Sequence, residues 1–215
     1  MLRIWGRRSS FNVQKVLWFA SELGLAYEHI PAGGEHGLVD TPEFRALNPH
    51  GRVPVIDDDG TVVWESHTIL RYLAARHGAP DFWPTDPAAR SQAERWMDWA
   101  HTSLQPAFLT GVFWGYYRTP EPLRDPDRIR AHVEECAGYF RLLDARLANQ
   151  PFLGGEQLTL ADIPAGTALY RYFGLDIARP DVPHVQAWYQ RLQQRPSYRE
   201  HVMVPFGELY GRLDY

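Results

Sequence analysis

Hydrophobic and polar residues along the first part of the chain follow a pattern that predicts short strands alternating with helices. Residues 2–5 form a predicted strand that ends at Gly6. A helix is predicted next, with its apolar face on Val13, Val16, Leu17, Ala20 and Leu23. Gly24 then ends the helix, and residues 26–30 predict a second strand. Residues 32–40 are rich in glycine, lack periodicity and predict a loop.

The next segment predicts a hairpin and a second helix. A turn at 48–51 precedes a predicted strand at 53–56, and 57–61 form a hairpin turn back to a strand at 62–64. Ser66 is expected to cap the helix that follows. The order βαβ, loop, ββα indicates an α/β unit whose first two strands are parallel.

Beyond this unit the pattern becomes helical. Residues 79–87 contain three prolines and are interpreted as a linker. Apolar stripes at helical spacing follow, for example Ile129, Val133, Cys136, Phe140, Leu143 and Leu147. We therefore predict an α/β domain over residues 1–78 and an all-helical domain over residues 88–215.

Four residues of the helical part have structural interpretations. The hydroxyl of Thr159 and the carboxylate of Asp162 are spaced to satisfy each other's backbone N–H at a helix start. Cys136 lies on an apolar stripe, which favours a buried, unreactive thiol. Pro196 is expected to end the last long helix.

Composition narrows the class of protein. The chain has 215 residues, 45% of them hydrophobic and 22% charged, which is typical of a globular protein with an ordinary core. A net charge of -4 gives no basic field for nucleic acid, and no apolar run is long enough to span a membrane. We expect a cytoplasmic protein.

The sequence also lacks several signatures of chemistry. Cys136 is the single cysteine, so an intramolecular disulfide and a paired-cysteine redox site are excluded. The nine histidines show no metal-ligand spacing, and the glycine-rich nucleotide motifs are absent. We expect no metal.

An ordered set of motifs resembles the glutathione S-transferases. The set is Ser10, then Asn48-Pro49-His50-Gly51-Arg52-Val53-Pro54, then Glu65-Ser66 before a helix, then Thr159 to Asp162. The proline-rich linker and helical remainder fit as well, and the chain looks like a bacterial, serine-type, theta- or phi-like member. The resemblance implies a thioredoxin-like N-terminal domain and an all-helical C-terminal domain.

It further implies a glutathione site on the first domain. Pro54 is expected to follow a cis peptide bond, so that the backbone of Val53 pairs with the cysteinyl part of glutathione. Glu65 matches the ammonium of the γ-glutamyl group, and Ser66 at a helix N-terminus matches its α-carboxylate. Arg52 and His36 are the candidates for the glycyl carboxylate. For His36, simple exposure to solvent is an equal alternative.

Ser10 matches the serine that donates a hydrogen bond to the glutathione sulfur in the serine-type classes. Such a donor stabilises the thiolate, which is the nucleophile. Ser9 and Asn12 are alternatives that share or replace this role, and Ser10 as a plain helix cap is another. Arg7 and Arg8 lie in the same turn, where they either favour an anion or are merely solvated.

The resemblance places an electrophile pocket on the helical domain. Phe113, Trp114, Tyr117 and Phe206 are the candidate residues, against the alternative that such aromatic side chains belong to the core.

The function implied is conjugation of glutathione, as co-substrate, to a small hydrophobic electrophile by a homodimeric detoxification enzyme. The alternative is a non-catalytic module that binds glutathione or another ligand, or associates with a protein. Glutathione-dependent disulfide reduction is disfavoured because Ser10 stands where a cysteine is expected. The sequence does not identify the electrophile.

Overall fold

The structure, a computed structural model, describes residues 1–78 and 80–213. Its contacts divide these residues into two compact units. The first contains Met1–Pro84 and Ser197–Val204, and the second contains Thr85–Pro196 and Pro205–Leu213. The segment Ser197–Val204 therefore belongs to the first unit. The sequence analysis instead assigns residues 88–215 to the helical domain without interruption. The proposed linker 79–87 includes Ala79, which lies outside the described residues.

The first unit has a four-stranded mixed sheet and three helices before the linker. In chain order its elements are β1 (Leu2–Trp5), α1 (Phe11–Glu22), β2 (Tyr27–Ile30), a 3-10 turn (Gly34–His36), α2 (Pro42–Leu47), β3 (Val55–Asp58), β4 (Thr61–Trp64) and α3 (Ser66–His77). The strand order is β2-β1-β3-β4, with β1 and β2 parallel and the other pairs antiparallel. The predicted βαβ and ββα order is confirmed, while the short helix α2 was not predicted.

The third strand begins two residues later than predicted. The ladder of β3 starts at Val55, which pairs with Trp5 on β1 and with Trp64 on β4. Pro54 has no N–H to donate to a ladder, so the regular pairing begins only after it. Val53 therefore lies outside the sheet, two residues before the start of β3.

Helix α1 is largely buried in the first unit. Its residues from Val13 to Ala20 are all buried, and Gly24 follows the helix with φ +66°, a conformation that glycine adopts without steric cost. The helix also explains why residues 197–204 belong to this unit. Trp18 Nε1 donates to Glu22 at 2.8 Å, Ser197 donates to the same carboxylate, and the ring of Tyr198 packs edge-on against Trp18.

The second unit is helical. Its elements are α4 (Pro87–Trp99), a continuation in the wider π form over Ala100–Leu104 and Pro106–Arg118, a 3-10 turn (Glu121–Leu123), α5 (Pro126–Leu147), α6 (Asp162–Gly174), α7 (Pro183–Gln193) and a 3-10 turn (Gly207–Leu209). The predicted all-helical architecture is confirmed. The sequence interpretation of Pro196 was incomplete, because α7 already ends at Gln193 and Pro196 begins the short helix α8 (Pro196–His201).

Aromatic stacking and a buried carboxylate organise the core of this unit. The rings of Phe140 on α5 and Tyr172 on α6 stack with centroids 3.6 Å apart. Cys136 is buried beside them, and burial raises the pKa of its thiol to about 12, in agreement with the predicted unreactive role. Asp162 is fully buried and accepts hydrogen bonds from the backbone N–H groups of Leu153 (2.8 Å) and Thr159 (2.9 Å).

The predicted reciprocal cap is therefore only half present. The carboxylate of Asp162 satisfies the N–H of Thr159, but the Thr159 hydroxyl accepts from the N–H of Ala161 at 3.2 Å. The segment ties the start of α6 to the preceding loop through Leu153. Among the helices of the described residues, none is both long enough and apolar enough to cross a membrane.

Candidate functional site

Four loops of the first unit leave the sheet at the same end. Trp5, the last residue of β1, is aligned with Ile30, the last residue of β2, and with Val55, the first residue of β3. Val55 in turn is aligned with Trp64, the last residue of β4. The loops that carry the predicted glutathione-binding residues therefore start or finish in one row at this end of the strands. We call this end of the sheet, defined by Trp5, Val55 and Trp64, the sheet edge.

A small apolar cluster lies under this edge. Ala32, Phe44 and Val55 form its buried centre, and Trp5, Val39, Leu47, Val53 and Trp64 pack against it. The side chain of Val53 is thus held in place by packing, while its backbone precedes the first ladder position of β3. The peptide bond between Val53 and Pro54 is cis, as expected.

The turn before Val53 is organised by a buried amide. Asn48 is 3% exposed, its Oδ1 accepts from His50 N at 3.0 Å, and its Nδ2 donates to the carbonyl of Arg52 at 2.8 Å. Gly51 has φ +61°, and a Cβ there would meet the carbonyl oxygen of Val39 at 2.8 Å. The Asn-Pro-His-Gly motif therefore sets the path of the chain into Val53.

Glu65 and Ser66 connect the end of β4 to α3. Glu65 occupies the N-cap position, and Ser66 is the first helical residue, so the prediction that Ser66 caps the helix is wrong by one position. Glu65 has φ +69°, an unusual backbone conformation for a residue with a side chain, and it makes no side-chain cap bond. Its carboxylate is exposed, while Ser66 is 5% exposed at the positive end of a 12-residue helix.

Ser10 precedes α1 and occupies its N-cap position. Its carbonyl accepts from Gln14 N at 2.9 Å, but its side chain makes no capping hydrogen bond. The hydroxyl is partly exposed, whereas Ser9 is nearly buried. The geometry thus removes the competing interpretation of Ser10 as a side-chain cap, which leaves its hydroxyl available as a donor.

The two arginines of the turn before Ser10 have different surroundings. A Cβ at Gly33 would lie 3.6 Å from Arg7 Nη1 and 3.6 Å from Val53 Cγ2, so the Arg7 guanidinium approaches the Val53 loop. Arg8 instead donates to the backbone carbonyl of Glu200 at 3.4 Å and pairs with its carboxylate at 3.7 Å. Arg7 is therefore the arginine of this turn that adds positive charge near the edge.

His36 and Arg52 both lie on loops at this edge, and both are exposed. His36 ends the 3-10 turn Gly34–His36, and Arg52 directly precedes Val53. Their positions do not favour one of the two residues over the other as the partner of the glycyl carboxylate.

The candidate electrophile residues lie in the second unit. The ring of Tyr117 stacks on Phe113 at 5.3 Å, and Phe206 packs edge-on against both, at 5.6 Å from Phe113 and 5.1 Å from Tyr117. Tyr117 and Phe206 are partly exposed, while Phe113 is fully buried and packs against both of them. The ring of Trp114 packs against the guanidinium of Arg118, whose central carbon lies 4.1 Å from the ring centre. We call Phe113, Tyr117, Phe206 and the neighbouring Tyr210 the aromatic cluster.

Comparison with known proteins identifies the family. The glutathione S-transferase N-terminal domain matches residues 5–81, and the glutathione S-transferase C-terminal domain matches residues 99–196. Glutathione S-transferase GstB of Escherichia coli is 42% identical over 207 residues, which cover 95% of this chain and 99% of that protein. Glutathione S-transferase 3 of Zea mays is 32% identical over 94% of this chain and 93% of its own length.

A solved structure is similar over nearly the whole chain. The theta class glutathione S-transferase of the citrus canker pathogen Xanthomonas axonopodis pv. citri, with glutathione bound, has 47% sequence identity and a TM-score of 0.89. The match covers 95% of this chain and 98% of the other. This chain belongs to the glutathione S-transferase family. The resemblance inferred from the sequence is confirmed, including the thioredoxin-like first domain.

One buried polar residue beside the candidate site was missed by the sequence reasoning. Lys15 lies on α1 with no exposed surface, and its Nζ is 3.0 Å from Asn12 Oδ1 and 3.1 Å from His67 Nε2. Position 15 does not lie on the predicted apolar stripe of α1, which passes through Val13, Val16 and Leu17, so the pattern gave no sign that this lysine is buried. The Lys15 amine donates to the Oδ1 of Asn12 and does not use the Nδ2 of that amide, so Asn12 remains an alternative to Ser10 as the donor to sulfur.

Among the residues that the structure describes, there is no group of three or more histidine, cysteine or acidic side chains arranged to hold a metal ion.

Proposed function

We propose that this member of the family is a glutathione transferase that binds glutathione at the sheet edge of its first unit. The proposal rests above all on the alignment of Trp5, Val55 and Trp64 in one row. That alignment gathers the loops of Ser10, Val53 and Ser66 at one end of the sheet. A close relative with glutathione bound supports the same ligand.

Each part of the tripeptide has a chemical partner in the proposed site. The α-carboxylate of the γ-glutamyl group accepts from the N–H and hydroxyl of Ser66, with the helix dipole of α3 favouring its charge. The exposed Glu65 carboxylate pairs with the ammonium. The backbone of Val53 pairs with the cysteinyl residue as an added strand would. His36 or Arg52 holds the glycyl carboxylate.

Ser10 is the proposed activating residue. A hydroxyl that makes no capping bond and stands at a helix N-terminus donates to the glutathione sulfur and favours the thiolate over the thiol. The thiolate then attacks an electrophilic carbon, and the leaving group departs with the electron pair of the broken bond. Proximity of the two bound substrates supplies the remaining acceleration.

The aromatic cluster of the second unit supports a hydrophobic electrophile. Tyr117 and Phe206 offer partly exposed ring surface, and Phe113 holds them from the buried side. Burial raises the pKa of the Tyr117 hydroxyl, so it remains a hydrogen-bond donor at neutral pH. Trp114 stays a proposed contact of the same pocket. We propose that the whole protein is a cytoplasmic homodimer that acts in detoxification.

The proposal is tested by binding and turnover on the same preparation. We expect calorimetry to detect glutathione binding and an activated aryl chloride, tried first within a panel of electrophiles, to be conjugated. Ser66→Ala should weaken binding about tenfold, because a buried charge-assisted bond is lost. Ser91→Ala, on the exposed surface of α4, is the matched control and should change neither quantity. Binding without turnover on the whole electrophile panel would favour the non-catalytic module.

A further inference from the structure

Lysine is used once in this protein, at position 15. The chain contains 22 lysine and arginine residues together, and Lys15 is the single lysine among them. Its side chain is also fully buried, with a relative exposure of 0%. A buried lysine can lose its proton, whereas an arginine cannot.

The amine of Lys15 joins two helices at the proposed glutathione site. It contacts Asn12 Oδ1 in the first turn of α1 at 3.0 Å and His67 Nε2 in the first turn of α3 at 3.1 Å. The ring of Phe11 lies 4.9 Å from the same nitrogen. Asn12 is two residues from Ser10, and His67 is adjacent to Ser66, so the amine lies behind both helix N-termini.

Burial and charge act on Lys15 in opposite directions. Loss of hydration lowers the pKa of the amine from 10.5 to about 7, and the carboxylate of Glu65 opposes this decrease. Near neutral pH both the ammonium and the neutral amine are therefore populated. A small change in the local charge is enough to shift the balance between them.

Glutathione would produce such a change. At neutral pH it carries two carboxylates and one ammonium, and its thiolate form carries a further negative charge. We propose that Lys15 is a positioning residue of the glutathione site, which joins the first turns of α1 and α3 and takes up a proton when the anionic tripeptide binds there. This inference rests on the proposed function, since it requires glutathione at these helix N-termini.

The groups that face the amine are consistent with net proton uptake. From α3, His67 accepts from the ammonium in its neutral form, and Glu65 contributes a negative charge. The ligand ammonium offsets the charge of Glu65 when the two pair, and the two carboxylates of the ligand supply the negative charge that favours the ammonium form of Lys15. From residues 197–204, the carboxylate of Glu200 is paired with Arg8 instead.

Because Lys15 is the single lysine, its protonation can be observed directly. Protein labelled with carbon-13 at the lysine Cε position gives one Cε signal, whose chemical shift follows the ionisation of this amine. We would titrate that signal against pH in the free protein and in the protein saturated with S-methylglutathione. This ligand has no thiol, so formation of a thiolate does not contribute to the result.

We expect the midpoint of the Cε titration to move upward by about one pH unit on saturation, which corresponds to about tenfold tighter binding by the ammonium form. Calorimetry on the same samples establishes whether the ligand binds at all. Binding without movement of the midpoint would overturn the role of Lys15 while leaving the proposed function standing. Absence of binding would overturn both.

Two variants test whether Lys15 acts on the bound ligand through its charge or only fills space in the core. Lys15→Met preserves volume and removes the charge, and we expect S-methylglutathione to bind about tenfold more weakly at pH 6, with little dependence on pH from there to 8.5. His67→Gln retains an acceptor for the amine, so the upward movement of the Cε midpoint should persist. Loss of the movement in His67→Gln, or unchanged affinity and pH dependence in Lys15→Met, would contradict the proposal.

Discussion

Ser10 and Ser66 both stand at helix N-termini, but their surroundings suit them to different tasks. Ser66 is nearly buried within the first turn of α3, where its N–H points along the helix dipole. Ser10 is partly exposed, occupies the N-cap position of α1 and leaves its hydroxyl out of the cap. A carboxylate is the natural partner of the first, and a single soft anion such as a thiolate is the natural partner of the second.

The first prediction concerns Ser10. In Ser10→Ala we expect glutathione affinity to change little, while the thiolate absorbance of the complex at neutral pH is lost and turnover at pH 7 falls about 25-fold. That factor is the change in the thiolate fraction at pH 7 if the hydroxyl lowers the thiol pKa of glutathione by about two units from about 8.5. Absorbance and turnover are measured on one sample. Ser9→Ala is the matched control, and if it rather than Ser10→Ala abolished the thiolate, the assignment of the donor would be wrong.

The second prediction concerns Glu65. Glu65→Gln removes the proposed partner of the γ-glutamyl ammonium, and we expect glutathione to bind about tenfold more weakly. A glutathione analogue that lacks the α-amino group has no ammonium to lose, so both proteins should bind it equally. Calorimetry with the two ligands and two proteins forms a closed cycle. A similar loss of affinity for both ligands would show that Glu65 acts on the fold of the loop rather than on the ammonium.

At the scale of the elements, the strands and long helices follow directly from the residue pattern. The period of two in β1 and the stripe at helical spacing in α5 are strong signals, because one face of each element is buried. The helix α2 was missed since its six residues contain a single buried side chain, Phe44. A single apolar residue gives no periodicity to detect.

The errors at element ends have local physical causes. Pro54 has no N–H to donate, so β3 begins at Val55 rather than Val53. Glu65 adopts positive φ, which moves the start of α3 and leaves Ser66 inside its first turn. A positive φ at a glutamate is set by its surroundings rather than by its own preference, and the sequence alone therefore does not reveal it.

The third prediction concerns the buried lysine of α1. Between pH 7 and 10.5 the unfolded chain retains the lysine proton while folded Lys15 has lost it, so the free energy of unfolding of the wild type rises with pH across this window. From pH 7 to 9 the contribution amounts to about 2 kcal/mol. Lys15→Met should lack this increase and should be at least as stable as the wild type at pH 7.

Urea unfolding at pH 7 and pH 9 measures this difference, and subtracting the two proteins cancels the other groups that titrate. A buried site that stabilised the ammonium would give the opposite trend, with the wild type losing stability relative to Lys15→Met as the pH rises. Together with weaker glutathione binding, a more stable Lys15→Met would show that the lysine is retained for function at a cost in stability.

For the whole molecule, the sequence predicted two domains of different class and their approximate division. It did not predict that residues 197–204 belong to the first unit. Glu22 contributes to that association, since it accepts from the nearby Trp18 and also from Ser197, which is 175 residues further along the chain. Contacts between residues so far apart leave no periodic signal in a single sequence.

The fourth prediction concerns assembly. The proposed homodimer should sediment with a mass of twice 24.8 kDa at micromolar concentration. Sedimentation velocity over a range of concentrations distinguishes this species from a monomer. A monomer of unchanged glutathione affinity at every concentration would contradict the dimer but would leave the glutathione site of the first unit intact.

The most direct test of the glutathione site is a crystal structure of the protein with glutathione bound. We predict that the γ-glutamyl carboxylate accepts from Ser66, that the cysteinyl backbone pairs with Val53, and that the sulfur lies within hydrogen-bond distance of Ser10 Oγ. Glutathione bound away from the sheet edge defined by Trp5, Val55 and Trp64, or with its sulfur directed away from Ser10, would contradict the proposed mechanism.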